Sequence, residues 1–110
     1  MEGKYFLKIH NSQGYTIAAI CDEEILGKVF REKGVILDVS PHFYGGEKVD
    51  MDRVLEAIRN ADIVVITGRR IVEKLAELGV VHREFALEVE NQLHIQIVRE
   101  VYSSWEEDFV

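Results

Sequence analysis

The segment best suited to binding chemistry is a strand, turn and helix junction at residues 66–75, "ITGRRIVEKL". Gly68 supplies the turn, and a helix beginning at Arg69 leaves free backbone amides that can bind an anion. Arg69 and Arg70 lie in the first helical turn, where positive charge opposes the helix dipole by about 0.3–1 kcal/mol each. An anion should offset this repulsion. It is either one of the chain's 20 acidic side chains, the phosphate of a ligand or a nucleic-acid backbone, so Gly68, Arg69 and Arg70 are the anion-binding candidates. The spaced glycines and Lys-Ser/Thr pair of a P-loop are missing.

The second candidate is the loop at residues 40–50, "SPHFYGGEKVD", which holds the only proline, two adjacent aromatics and two adjacent glycines. Two interpretations stay open. The loop is either a plain connection whose aromatics lie beneath the sheet edge, or a surface loop that presents an aromatic anchor to a partner, because aromatic side chains are frequent interface hot spots. On the second interpretation its partner-binding residues are Phe43, Tyr44, Gly45, Gly46 and Glu47.

The remaining reactive residue types form no catalytic or metal-binding pattern. Cys21 is the only cysteine; three acidic residues follow it and favour the neutral thiol, so we expect a buried structural cysteine. The four histidines lack the spacing of zinc ligands. His94 and Gln96 share one strand face and are candidates for lining a pocket. Neither a nucleophile elbow nor a dinucleotide-binding motif occurs, so no cofactor and no metal are predicted.

Composition restricts the setting. A length of 110 residues suits one domain. The net charge of −7 argues against a broad nucleic-acid surface, because such surfaces neutralise phosphates with Lys and Arg, although a local basic patch is compatible with it. The start of the chain lacks a signal-peptide pattern, and the longest apolar run is too short to span a membrane. We therefore expect a cytoplasmic protein without a membrane partner.

Hydrophobic periodicity predicts an α+β fold, a two-layer sandwich of a mixed sheet and three helices in the order ββαβαβαββ. A hairpin at residues 4–21 and another around Asn91-Gln92 bracket the chain. The predicted helices span residues 22–34, a segment begun by Asp50, and residues 69–78. Between them lie strands at residues 35–39 and 63–66, and the second of these is apolar without alternation, as in a central strand.

Three quoted segments carry a family resemblance: "CDEEILGKVFREKGVILDVSPHFYGGE", "VVITGRRIVEKLAELGVV" and "HIQIV". Their types and order resemble a small archaeal family catalogued as domain of unknown function 424, and the resemblance extends from about Lys4 to Val98. It implies a compact α–β domain and an archaeal source. It implies no activity and assigns no functional residue.

The chain is expected to divide into a compact domain at residues 1–98 and an acidic aromatic tail at residues 99–110. In the tail, Tyr102, Trp105 and Phe109 lie three and four residues apart, as on one side of a helix. We expect this tail to dock on a partner or on a second copy rather than on its own sheet, and Trp105 is therefore a partner-binding candidate.

Two function classes follow. The first is a non-catalytic binding or adaptor module, supported by the aromatic loop, the tail and the lack of a catalytic constellation. Its partner is a protein or a second copy of the chain, and the family resemblance suggests the translation or RNA machinery as its setting. The second is an enzyme or sensor that binds a small phosphorylated ligand at the turn formed by Gly68.

Overall fold

A computed structural model describes residues 4–99 of the chain. Eight strands and three helices build one six-stranded sheet, ordered β5-β1-β2-β6-β8-β7, and one two-stranded sheet, β3-β4. The strands are β1 (Tyr5–Ser12), β2 (Tyr15–Asp22), β3 (Val29–Glu32), β4 (Val35–Asp38), β5 (Glu47–Val49), β6 (Ile63–Thr67), β7 (Leu87–Val89) and β8 (Gln92–Val98). The helices are α1 (Pro41–Tyr44), α2 (Met51–Asn60) and α3 (Arg69–Glu77).

The large sheet is mixed, because β2 runs parallel to β6 while β1–β2, β1–β5, β6–β8 and β7–β8 are antiparallel. With its three helices this sheet confirms the predicted α+β class. The terminal hairpins are confirmed as β1–β2 and β7–β8. The apolar segment at residues 63–66 forms β6 in the middle of the sheet, where side chains on both faces are covered, as its lack of alternation predicted.

Helices α2 and α3 cover one face of the sheet. Asp50 caps α2 as predicted, accepting a hydrogen bond from Arg53 N at 3.1 Å. Alternate residues of the strands meet the apolar stripes of the two helices, and the largest fully buried side chains of this core are Leu7, Ile20, Ile66, Ile71, Leu75 and Leu93. This layer holds the carboxyl end of β6 against the start of α3, where the anion-binding candidates lie.

The predicted helix over residues 22–34 is wrong. A 3-10 turn at Glu23–Ile25 follows β2. Gly27, with φ +88°, redirects the chain after this turn, and the β3–β4 hairpin follows. Lys33 and Gly34 both have positive φ (52° and 83°), which is the two-residue turn that suits the twist of a hairpin. Gly34 therefore turns a hairpin and does not end a helix. The helical spacing of the four apolar residues arose by chance, because two of them lie in or next to a short turn and the other two lie at the start of a strand.

The other face of the sheet carries a smaller cover made of the 3-10 turn, α1 and the β3–β4 hairpin. Within the hairpin, Phe30 and Leu37 stand opposite one another and are less exposed than the residues on its outer side. The second core combines Cys21, Ile25, Val39, Tyr44 and Val65 with partly buried neighbours. In the described part of the chain, none of the helices has the length and apolarity needed to cross a bilayer.

Gly46 marks a close approach between β5 and β1. A methyl group there would meet the carbonyl oxygen of Leu7 and the Cα of Lys8. We expect Gly46→Ala to lower the free energy of unfolding by about 3 kcal/mol, because backbone atoms must move to admit it. Gly14→Ala is the control: its methyl group meets open space, but φ is +84°, so it should lose only about 1 kcal/mol. Urea unfolding of both variants measures this, and equal losses would contradict the close approach.

Candidate functional site

Strand β8 has an open edge beyond the end of β7. Strand β8 spans seven residues, whereas β7 has three and pairs only with the first half of β8, from Gln92 to His94. After His94, β8 continues beside β6 alone. Before β7, the chain forms a 3-10 turn at Arg83–Phe85, so Phe85 does not extend the pairing. The second half of β8 therefore has one uncovered edge among the described residues.

Hydrogen bonds at both ends of β8 determine which backbone groups face this edge. Gly68 N donates to Leu93 O at 2.8 Å, and Arg99 N donates to Asp62 O at 2.7 Å. In an antiparallel pair, alternate residues bond to the same neighbour, so the odd-numbered residues of this stretch bond toward β6. The even-numbered residues direct their N–H and C=O groups the other way.

Gln96 and Val98 are the even-numbered residues beyond β7. Their backbone groups make no hydrogen bond with residues 4–99, and both side chains are exposed. An unpaired strand edge offers a row of donors and acceptors to any extended chain that approaches it.

An apolar groove of about 370 Å³ lies along this edge. Its floor is the second half of β8 and its wall is the segment between α3 and β7. The lining residues are Val80, Val81, His82, Phe85, Ile95, Gln96, Ile97 and Val98; we call this site the β8 groove. Phe85 is 71% exposed and Val98 is 68% exposed, and the rings of His82 and Phe85 meet edge to face at 5.7 Å. The site thus combines an open strand edge with unburied apolar side chains, as in proteins that accept a partner strand.

The aromatic loop at residues 40–50 is built into the fold. Tyr44 is 4% exposed and belongs to the second core, so it presents no ring to a partner. Phe43 is half-buried and stacks on His10 at 4.8 Å between ring centroids. A side chain at Gly45 would meet the carbonyl oxygen of Pro41, and Gly46 approaches β1 as described above. These contacts support the interpretation as a plain connection. Glu47, on edge strand β5, is exposed and ion-paired with Arg53 at 3.5 Å.

The structure brings Tyr44 together with the predicted pocket residues. Tyr44 Oη lies 2.9 Å from Thr67 Oγ1, which lies 2.8 Å from His94 Nδ1, and Gln96 Nε2 lies 3.4 Å from His94 Nε2. Burial lowers the pKa of His94. Every fully buried side-chain polar atom in the described residues has a partner, so this row satisfies itself. Only Gln96 of the predicted pair lines the β8 groove.

The anion-binding candidates already hold an anion from the chain itself. Asp22, 1% exposed at the end of β2, accepts hydrogen bonds from Arg70 N and Ile71 N, each at 3.0 Å. A side chain at Gly68 would meet the Asp22 carboxylate. Asp22 therefore caps α3 rather than the helix that the sequence predicted after it, and it takes the position that a ligand phosphate would need.

The two arginines are also paired within the chain. The Arg70 guanidinium bonds to both carboxylate oxygens of Glu24, at 2.6 and 2.8 Å. Arg69 pairs with Glu73 at 2.9 Å and with Glu88 at 2.8 Å, and its amide donates to Gln92 Oε1 at 3.1 Å. These acids offset the unfavourable positive charge at the start of α3. The contacts therefore favour acidic side chains of the chain, rather than a ligand phosphate, as the anion at this junction.

Cys21 is buried and free, as expected. Burial and the neighbouring Asp22 raise its pKa to about 12, so the thiol is protonated at neutral pH and is a poor nucleophile. Among residues 4–99, no three His, Cys, Asp or Glu side chains are grouped so that they could hold a metal ion. Trp105 lies outside the described residues.

The sequence did not single out Val80, His82, Phe85 or Val98. One signal could have indicated them. Phe85 lies in a polar stretch, "HREFALE", without the alternation or helical spacing that would assign it to a core. A large aromatic residue outside any apolar pattern is a candidate for an exposed surface.

Comparisons with known proteins agree with the fold. The family described as "Protein of unknown function (DUF424)" matches residues 10–99, which confirms the resemblance inferred from the sequence. A structure described as "Crystal structure of an uncharacterized conserved protein from Methanopyrus kandleri" is similar, with a TM-score of 0.67 and 25% sequence identity over 87% of this chain and 93% of that chain. No curated protein matches the chain.

Asp22 should make stability depend on pH. Burial raises its pKa to about 6 from a model-compound value of 3.8, although the Arg70 guanidinium lowers it. The folded state then binds a proton more tightly than the unfolded state, so stability from this group is present below about pH 4 and is lost as pH rises through about 6. Wild type should therefore gain about 2 kcal/mol relative to Asp22→Asn between pH 7 and pH 4.

Chemical unfolding of both proteins at several pH values across that range measures the difference. The other carboxylates titrate in both proteins, so their contribution cancels in the comparison. Parallel stability curves for the two proteins would show that Asp22 is ionised throughout and would contradict the prediction.

Proposed function

The chain belongs to the DUF424 family, and from its geometry we propose that it is a protein-binding module that accepts an extended segment of a partner protein at the open edge of β8. The observation that carries the proposal is that the backbone groups of Gln96 and Val98 have no partner among residues 4–99 and lie beside an apolar groove. An added strand would obtain main-chain hydrogen bonds from this edge, and its alternate side chains would contact the groove.

The chemistry of the groove specifies the kind of segment. Its walls are apolar, so a bound strand should carry large apolar side chains at alternate positions, since these point to the same side. Phe85 is the expected anchor on this chain, because a largely exposed aromatic ring has the most area to bury on binding. The described open edge is short, and affinity should therefore depend on the groove as much as on the backbone pairing.

Charge supports a protein partner over nucleic acid. Residues 4–99 contain 15 acidic and 13 basic side chains, a net charge of −2. Several of the basic residues are paired with acids, including Arg53, Arg69, Arg70 and Arg83. Binding to phosphates would require breaking such pairs. A role in the translation or RNA machinery, an archaeal source and a cytoplasmic location stay predictions; in that setting, a protein component is the expected partner.

The alternative function, an enzyme or sensor for a phosphorylated ligand at Gly68, receives less support. The amides of Arg70 and Ile71 donate to Asp22, and a ligand would have to displace this buried carboxylate. We therefore do not extend the proposal to that junction.

Val98→Pro tests the proposal. Proline removes the N–H of Val98, which points to the open edge, and leaves the hydrogen bonds between β8 and β6 in place. Immobilised wild-type protein should capture its partner from a native lysate of source cells at low salt. We expect the variant to lose at least about 90% of this capture, because a lost strand hydrogen bond and a steric block together amount to more than about 1.4 kcal/mol.

Ile36→Pro is the matched control. Ile36 is an exposed apolar residue of β4 whose N–H also points away from its paired strand, since Val39 N bonds to Lys28 O and fixes the alternation. It lies outside the β8 groove and should leave capture unchanged. Circular dichroism must show that both variants are folded. Equal capture by wild type and a folded Val98→Pro variant would refute the proposed binding edge, as would equal losses in both variants.

A further inference from the structure

We propose that residues 100–110 of the same chain occupy the β8 groove in the free protein and compete there with the partner strand. This inference rests on the proposed function, because it names how access to the same site is controlled. Its support comes from the position of Arg99, the charges around that residue and the dimensions of the groove.

Arg99 fixes where the tail begins. Its amide donates to Asp62 O at 2.7 Å, and its guanidinium donates to Arg59 O at 2.6 Å and to Ile58 O at 2.9 Å. The chain therefore leaves β8 from an anchored point directly after Val98, which lines the groove. The 11 residues that follow extend to roughly 36 Å, whereas the open edge spans roughly 10 Å. The segment is long enough to turn and return along that edge.

The charges at the end of β8 complement the tail. Arg59 and Arg99 form no ion pair with any residue in the range 4–99, although each is positively charged and exposed. Residues 100–110 include no basic residue and contain four acids: Glu100, Glu106, Glu107 and Asp108. The acids that follow Arg99 are held near the two arginines by the chain itself. This attraction favours residues 100–110 as the occupant of the groove over an uncharged apolar strand.

The apolar residues of the tail suit the groove. Trp105 and Phe109 are four residues apart and therefore point to the same side of an extended strand. Each has about 150–250 Å² of surface to bury, and the groove of about 370 Å³ has exposed apolar walls. From the sequence alone, a partner or a second copy was the favoured surface because the core looked complete. The structure instead places an uncovered apolar groove at the tail's own point of attachment. Tethering gives the tail an effective concentration of about 1 mM, which a second copy does not reach in dilute solution.

Trp105 is the only tryptophan and reports directly on docking in the full chain. In dilute monomeric protein we expect blue-shifted emission that acrylamide quenches weakly. Phe85→Ser should shift the emission to the red and increase quenching, because it removes the largest apolar side chain of the groove. The variant should keep the fold, because Phe85 is 71% exposed. Leu78→Ser, an exposed apolar residue outside the groove, is the matched control and should change neither reading.

Three results would overturn the inference. Solvent-exposed Trp105 in the wild type would show that the groove is not covered by the tail. Protected Trp105 that responds to neither Phe85→Ser nor Val98→Pro would place the tail elsewhere. Protection that appears only as dimers form at higher concentration would identify a second copy as the occupant.

Partner capture separates this inference from the proposed function. The full-chain double variant Trp105→Ser, Phe109→Ser should capture roughly tenfold more partner than wild type, if the tethered tail binds with a dissociation constant of about 100 µM. Unchanged capture by this variant, together with loss of capture in Val98→Pro, would refute the competing tail and leave the binding edge standing. No loss of capture in Val98→Pro would instead refute the binding edge itself.

Discussion

The fold depends on the buried carboxylate of Asp22. It lies at the end of β2 and accepts the first free amides of α3, from Arg70 and Ile71, so it joins a strand to a helix that begins 47 residues later. Gly68 has φ +131° and brings its backbone so close to this carboxylate that no side chain fits between them. The Arg70 side chain then joins Glu24 and the carbonyl of Lys4. One carboxylate thus positions β2, β6 and α3 relative to one another, and the same contact removes the anion site that free amides would have formed.

A second constraint shapes the binding edge. Strand β7 ends its pairing early because the chain before it makes a 3-10 turn at Arg83–Phe85. Within the part of the chain that the structure describes, the backbone of β8 at Gln96 and Val98 is therefore unpaired. Proteins usually cover or charge such an edge, since it invites pairing with other chains. Here the edge lies beside exposed apolar residues, and Phe85 is the largest of them. The combination accounts for the proposed binding of a partner strand, and a tail attached at Arg99 would cover the edge when no partner is present.

Several elements of the fold depend only on the local pattern of residue types and could be predicted from it. The unbroken apolar run of β6, the hairpin at residues 4–21 and the helix begun by Asp50 each follow from neighbouring residue types, and all are present in the structure. The α+β class and the DUF424 family follow from the same segments. The helix over residues 22–34 failed because its helical spacing also arises when a 3-10 turn with Ile25 is followed by a strand with Val29 and Phe30. Positive φ at Gly27 and Gly34 separates these elements.

The pairing of residues that are distant in sequence became known only from the folded chain. It paired Arg69 and Arg70 with acids distant in sequence, and it put Asp22 on α3 rather than on a helix of its own. It buried Tyr44 against Thr67, 23 residues away, which turned a candidate anchor into a core residue. It also left Val98 uncovered, because the extent of β7 depends on a turn and not on β8 itself. Such outcomes depend on which groups meet after folding, and a linear pattern of residue types does not contain that information.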